Sequence, residues 1–137
     1  RYYDFFKEFG QIYLSNSILS YFFKYPFELT VPRVISVYAY GNADASVNTG
    51  FLANGYIHFG FLGMVIYSVI LGIIFRIIDS FTKHIDKWLV ISIMLVPIHS
   101  LRSSNLSTVL FTHGLGLSLV LLWLLDSKSI KLNRYEL

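Results

Sequence analysis

Hydrophobic positions along the chain gather into three long stretches, which polar and charged residues separate. The first, residues 55–78, has a long uncharged centre and is long enough for a tilted helix across the ~30 Å hydrocarbon core of a bilayer. The second covers residues 88–106, and the third covers residues 107–125 and carries Trp123 near its end, a side chain common at membrane interfaces. This pattern predicts about three transmembrane helices.

The N-terminal part of the chain is less regular. Residues 1–29 place aromatic and aliphatic side chains at helical spacing between scattered charges, which predicts an interfacial or re-entrant helix. A core helix packed beneath the spans is the alternative. Residues 30–54 follow Pro26 and contain Pro32 and the turn-forming stretch GNADAS, so we expect an irregular extracytoplasmic loop there.

Composition supports a membrane protein. Hydrophobic residues make up 55% of the chain, and charged residues only 14%, well below the roughly 25% of soluble domains. The net charge of +3 does not indicate nucleic acid binding, because the basic residues flank the apolar stretches and do not gather on one polar face. We therefore predict an all-α, polytopic integral membrane protein. The chain starts at Arg1 without a secretory signal, so we expect the C-terminal part of a longer protein.

Basic residues predict the orientation of the spans. Three Lys or Arg lie in or just before the loop of residues 79–87, counting Arg76, and three more lie in the tail of residues 126–137. The turn near Arg102 carries only one. Because cytoplasmic loops are enriched in Lys and Arg, we expect the loop and the tail on the cytoplasmic side. Residues 30–54 and the Arg102 turn then lie outside.

The stretch VPIHSLRSSNLS carries the first candidate site. His99 and Arg102 share a helix face, Ser103 extends it, and Ser104 and Asn105 follow in the turn. Arginine suits phosphate or carboxylate, so the expected ligand is an anion such as a lipid phosphate in the outer leaflet. The alternative is an arginine that only reaches into the lipid headgroups.

The segment before the first span is expected to form the opposite wall of this site. It offers Arg33, Asn48, Asn54 and His58. Arg33 could equally be a solvated loop charge. His58 and His113 are candidate general bases because histidine titrates near neutral pH, although a buried structural role is favoured for His113. The four histidines are scattered, so we predict no metal site, and no cofactor motif is recognised.

Two stretches resemble a known family. NTGFLANGYIHFGFLGMVIYSVILGIIFRIID (48–79) and RSSNLSTVLFTHG (102–114), together with the upstream segment 10–28, resemble the C-terminal half of bacterial oligosaccharide repeat unit polymerases, the O-antigen and capsule polymerase family. The matching positions are Asn48, Gly50, Phe51, Tyr56, Phe59, Gly60, Gly63, Gly72, Arg76, Asp79, Arg102, Ser103 and Ser104.

The resemblance implies a multi-pass glycosyltransferase of the bacterial inner membrane. It would join undecaprenyl-diphosphate-linked oligosaccharides into O-antigen or capsular polysaccharide at the outer leaflet. Its expected partners are that lipid-linked substrate, membrane lipids, a flippase and a chain-length regulator. Arg102 and Arg33 would bind the diphosphate, His58 or His99 would take the acceptor proton, and Tyr56 joins the substrate-binding residues. This fragment alone is expected to be inactive.

The sequence departs from the family at two positions. Many members carry an acid where this chain has Asn54 or Asn105, and an amide cannot act as a base. His58, four residues after Asn54, is the local substitute. Alternatives to a polymerase are an O-antigen ligase, a flippase or permease fragment that moves an anionic lipid-linked substrate, and a non-catalytic scaffold.

Overall fold

A computed structural model of the protein describes residues 1–16 and 21–135, and for residues 128–135 it describes the backbone alone. Within these ranges the chain is helical and contains no β-strand. The all-α prediction is confirmed for this part of the chain. The six helices are α1 (Tyr2–Phe9), α2 (Val31–Tyr40), α3 (Phe51–Phe81), α4 (Lys87–Ser100), α5 (Leu106–Phe111) and α6 (Leu115–Tyr135).

The long helix α3 is broken near its start. Phe59 and Gly60 have non-helical dihedral angles, and the φ of Gly60 is +62°, a conformation that glycine adopts without steric cost. The break folds residues 51–58 back against the rest of α3, so that Gly63 packs directly on the backbone carbonyl of Gly55. A side chain at either glycine would collide with backbone, which explains why both positions are glycine.

Beyond the break, α3 is long and apolar enough to cross a membrane. Residues 61–81 extend about 31 Å at the helical rise of about 1.5 Å per residue, which matches the ~30 Å hydrocarbon core. Only 17% of the most apolar 18-residue window of α3 is buried, and side chains such as Phe61, Val65 and Ile73 are exposed. A long helix that exposes so many apolar side chains needs a further apolar partner, and a membrane is one such environment. Of the described helices, α3 alone is long and apolar enough to cross a bilayer.

The second and third predicted spans are not continuous helices. Residues 88–106 form α4 only as far as Ser100, where turns take over, and α4 at about 21 Å is shorter than a bilayer core. Residues 107–125 divide between α5 and α6 at Gly114, whose φ is +85°. Asn105 starts α5 as a separate helix by capping its N-terminus. Turn-forming residues therefore outweigh the apolar pattern here.

The prediction of an irregular loop over residues 30–54 is wrong for residues 31–40, which form α2, and for residues 51–54, which begin α3. Pro32 lies in the first turn of this helix, where a missing backbone N–H costs nothing, and Gly41 closes it in a left-handed conformation with φ +66°. The N-terminal segment also differs from a surface helix. In α1, Phe5 and Phe6 are buried against α2 and the start of α3, in keeping with the alternative of a packed core helix.

The packing brings the helices together at two ends. At one end, Nδ1 of His84 lies 2.9 Å from a carboxylate oxygen of Asp126, which joins the α3–α4 turn to α6. At the other end, the backbone N–H of Phe51 donates to the carbonyl of Leu101 at 3.3 Å, which joins the start of α3 to the end of α4. An apolar core from α3 to α6 fills the space between these ends. The candidate site lies at the Phe51–Leu101 end.

Candidate functional site

The site is built on a close contact between Gly50 and the turn after α4. A Cβ atom at Gly50 would lie 2.8 Å from the backbone oxygen of Arg102, so any other residue would push the two segments apart. The contact brings residues 48 and 49, which precede α3, beside residues 103–105. Two polar segments that lie far apart in sequence thus become neighbours.

A small polar cavity of about 170 Å³ lies at this contact. It is lined by Pro32, Asn48, Thr49, Ser103, Ser104, Asn105 and Thr108. Four of these, Asn48, Ser103, Ser104 and Asn105, are substrate-binding residues predicted from the sequence. The structure therefore brings together predicted residues from both walls of the expected site.

Asn105 and Ser104 are held in place by local hydrogen bonds. The side-chain oxygen of Asn105 accepts from the backbone N–H of Thr108 at 2.7 Å and from the hydroxyl of Ser107 at 2.9 Å. This is the N-cap of α5, and it explains why a side chain with an accepting oxygen stands at this position. The hydroxyl of Ser104 lies 3.1 Å from Nε2 of His113, which ties the turn to the residues before α6.

A larger cavity of about 480 Å³ adjoins the small one, since both are lined by Pro32 and Asn105. Its other lining residues are Ser15, Asn16, Tyr25, Thr30 and Val31. We call the two cavities together the polar groove. Among the described residues that line it, all polar groups are amides, hydroxyls or backbone, and none is an acid, a lysine, an arginine or a histidine.

One wall of the polar groove is fixed from the interior by His58. This histidine is only 1% exposed. Its Nε2 lies 2.5 Å from the side-chain oxygen of Asn16, and its Nδ1 lies 2.7 Å from the hydroxyl of Tyr67. A neutral imidazole that donates to Asn16 and accepts from Tyr67 satisfies both contacts. A base for a substrate needs a free lone pair, and in this arrangement His58 has none.

The turn that carries Asn16 has an unusual backbone. Tyr13 and Leu14 have positive φ angles of 39° and 66°, which bulky residues rarely adopt. The next residue, Ser15, is 2% exposed, and within the described part of the chain its hydroxyl has no hydrogen-bond partner. An unsatisfied buried hydroxyl costs about 1–3 kcal/mol. The turn beside the groove therefore carries a local cost in stability.

Tyr25 adds a phenol to the groove. Its hydroxyl donates to the carbonyl of Leu29 at 2.8 Å. Burial raises the pKa of Tyr25 to about 12, because the charged phenolate would lose its hydration. Tyr25 therefore stays neutral at physiological pH, and the groove keeps its uncharged lining.

The predicted cationic residues lie outside the groove lining. Arg33 on α2, His99 in the last turn of α4 and Arg102 just after it are all exposed. Two other predicted substrate-binding residues are buried in the start of α3: Asn54 is 3% exposed, and Tyr56 is 7% exposed with its ring against Tyr3. Neither residue lines the polar groove.

Sequence reasoning missed several residues of the groove: Ser15, Asn16, Tyr25, Thr30 and Thr49. The available signal was the pair Ser15–Asn16, which interrupts an otherwise aromatic and aliphatic segment. The pairing of Asn16 with His58 spans 42 positions and has no local signature.

The described ranges contain no cluster of three or more His, Asp or Glu side chains arranged to hold a metal ion. No protein family, curated protein or solved structure matches the chain.

Proposed function

We propose that the chain is the C-terminal part of an oligosaccharide repeat unit polymerase, a multi-pass glycosyltransferase of the bacterial inner membrane. The observation that carries this proposal is the convergence of Asn48, Ser103, Ser104 and Asn105 in one cavity. Arg102 immediately precedes the run Ser103–Asn105 in sequence. The cavity is built on the Gly50–Arg102 contact at the end of an apolar helical bundle. Hydroxyls and amides suit a saccharide, and a neighbouring arginine suits its diphosphate.

The reaction would be a glycosyl transfer. The bond between the anomeric carbon of the donor saccharide and its diphosphate breaks, and the diphosphate leaves with the electron pair. A new bond forms from that carbon to a hydroxyl oxygen of the acceptor, whose proton passes to a base. Arg102, assisted by Arg33, would stabilise the negative charge on the departing diphosphate. His99 is the candidate base, because it is exposed and lies three positions before Arg102, whereas both nitrogens of His58 are engaged.

The membrane arrangement is part of the proposal. The exposed apolar surface of α3 favours one crossing, and the proposed protein has further crossings formed by α4 with the turn that follows it and by α5 with α6. Under this arrangement the end with His84 and Asp126 faces the cytoplasm, which agrees with its basic loop and tail. The polar groove then faces the outer leaflet, where lipid-linked saccharides would reach it.

The proposal is tested by deleting the parent gene and weighing the lipid-linked and surface saccharides by mass spectrometry. A polymerase is expected to lose long polymer while single repeat units still reach the surface. Accumulation of lipid-linked polymer would instead identify a ligase, and single units trapped on the inner leaflet would identify a flippase. An unchanged profile would contradict all three enzymatic and transport functions.

The second step uses Arg102→Lys in the complemented deletion strain. Lysine keeps the charge but loses the planar, five-donor group that grips a diphosphate, so we expect loss of polymer with normal amounts of protein in the membrane. Lys83→Arg, a charge-conserving change in the loop at the opposite end, is the control and should leave polymer unchanged. Normal polymer in the Arg102→Lys strain would overturn the role of Arg102.

A further inference from the structure

The polar groove has a lining that distinguishes a sugar from a phosphate. A diphosphate is bound through cations, whereas Arg33, Arg102 and His99 are absent from the described lining of either cavity. A sugar hydroxyl donates one hydrogen bond and accepts others, which is what amides and hydroxyls offer in return. The larger cavity measures about 480 Å³, which is within the range of ordinary ligand sites, and the adjoining one adds about 170 Å³.

We propose that the polar groove binds the uncharged saccharide portion of the substrate, with Asn16 and Thr30 as contact residues, while the diphosphate lies outside it. This inference rests on the proposed function and adds the division of the substrate between two places. Both contact residues precede α2 and are far in sequence from the Arg102 turn.

Asn16 is the contact residue that the structure holds most firmly. His58 engages its side-chain oxygen, which leaves the two N–H groups of the amide to donate to a ligand. Because His58 is buried and also bonded to Tyr67, the orientation of the Asn16 amide is set before a ligand arrives. Such preorganisation removes part of the entropy cost of binding. His58 is thus a positioning residue for Asn16.

Ser15 also lies at the wall of the larger cavity, but its hydroxyl is fully buried and does not reach the cavity surface. Tyr25, which is bonded to Leu29, adds an aromatic face and a phenol oxygen to the same cavity.

Thr30 offers the cleanest test. It is the N-cap residue of α2, but its side chain makes no capping hydrogen bond, and the helix uses only its backbone carbonyl. Thr30→Ala therefore removes a hydroxyl from the groove without removing a bond that supports the fold. Ser46→Ala removes an exposed hydroxyl from the loop between α2 and α3 and is the matched control. Asn16→Ala is a second, stronger variant.

The experiment measures binding to the full-length protein in lipid nanodiscs by calorimetry. One probe is the free oligosaccharide released by mild acid from the source cell's lipid-linked repeat units, and the other is inorganic diphosphate. We expect Thr30→Ala to raise the Kd for the oligosaccharide about threefold to tenfold, the loss of one hydrogen bond, with the Kd for diphosphate unchanged. Asn16→Ala should raise the Kd for the oligosaccharide further, and Ser46→Ala should change neither Kd.

Three results would overturn the inference: no binding of the oligosaccharide by the wild-type protein, equal affinities for Thr30→Ala and Ser46→Ala, or a diphosphate Kd that rises with Thr30→Ala. These results are separable from a failure of the proposed function. Loss of oligosaccharide affinity in Thr30→Ala supports the groove even if gene deletion leaves polymer intact. Conversely, gene deletion can prove the protein to be a polymerase while Thr30→Ala binds the oligosaccharide as the wild type does. That result keeps the proposed function and overturns the assignment of the groove to the saccharide.

Discussion

Nδ1 of His58 lies 2.7 Å from the hydroxyl of Tyr67, although nine positions separate the two residues along one helix. In a straight helix nine residues span about 13.5 Å, so this contact exists only because α3 folds back at Phe59 and Gly60. The same fold-back leaves the carbonyl of Ile57 to accept from the backbone N–H of Ile12 at 3.0 Å. The break in α3 therefore determines where the segment with Asn16 lies, and with it one wall of the polar groove.

Tyr67→Phe tests the internal support of His58. The change removes one hydroxyl and leaves Nδ1 of a buried imidazole without a partner, so we expect the free energy of unfolding to fall by about 1–3 kcal/mol. Denaturant titration of the full-length protein in detergent micelles measures it. Tyr38→Phe, at a ring that is 47% exposed, is the matched control and should change stability by less than about 0.5 kcal/mol. Equal losses of stability in the two variants would show that the Tyr67 hydroxyl does not support His58.

Gly63→Ala tests the fold-back itself. The new methyl group would collide with the carbonyl of Gly55, so we expect a loss of about 1–3 kcal/mol in the free energy of unfolding. Gly72→Ala lies in the same helix with no atom within 4 Å of the added Cβ, and it should stabilise by up to about 1 kcal/mol through helix propensity. Chemical denaturation in detergent compares them. A straight α3 would make both substitutions equally harmless.

Asn105 is expected to tolerate an acid but not an apolar residue. Asn105→Ala removes the cap of α5 and should cost about 1 kcal/mol, whereas Asn105→Asp keeps an oxygen that accepts from the backbone N–H of Thr108. Hydrogen exchange of the peptide that covers residues 106–112, followed by mass spectrometry, should show faster exchange only in the alanine variant. Equal exchange in all three proteins would show that the cap is dispensable.

The proposed topology can be tested with cysteines, because the described chain has none of its own. Ser46→Cys lies between α2 and α3, and Lys83→Cys lies in the turn between α3 and α4; both positions are exposed. In cells with a permeabilised outer membrane, an impermeant maleimide should label residue 46 directly and residue 83 only after lysis. Labelling of both from the same side would contradict an α3 that crosses the membrane.

The amino-acid sequence by itself determined the class of structure. The long uncharged run through residues 61–75 specifies a helix that is long and apolar enough to cross a membrane. The polar turn with Ser103, Ser104 and Asn105 was equally visible, because short-range chemistry such as helix capping is written in neighbouring residues. Such features depend on residues only a few positions apart.

Only the tertiary structure decided how distant segments meet. The break at Gly60, the close approach of Gly50 to Arg102 and the pairing of Asn16 with His58 each depend on packing between parts of the chain that no local pattern relates. Turn-forming residues flank α2, and the local sequence does not predict this helix. Burial of Ile35 against α1 and the start of α3 stabilises it. The periodicity of a sequence shows which face of a single helix is apolar. A groove forms between helices, where complementary shape and the burial of apolar surface decide which segments pack together.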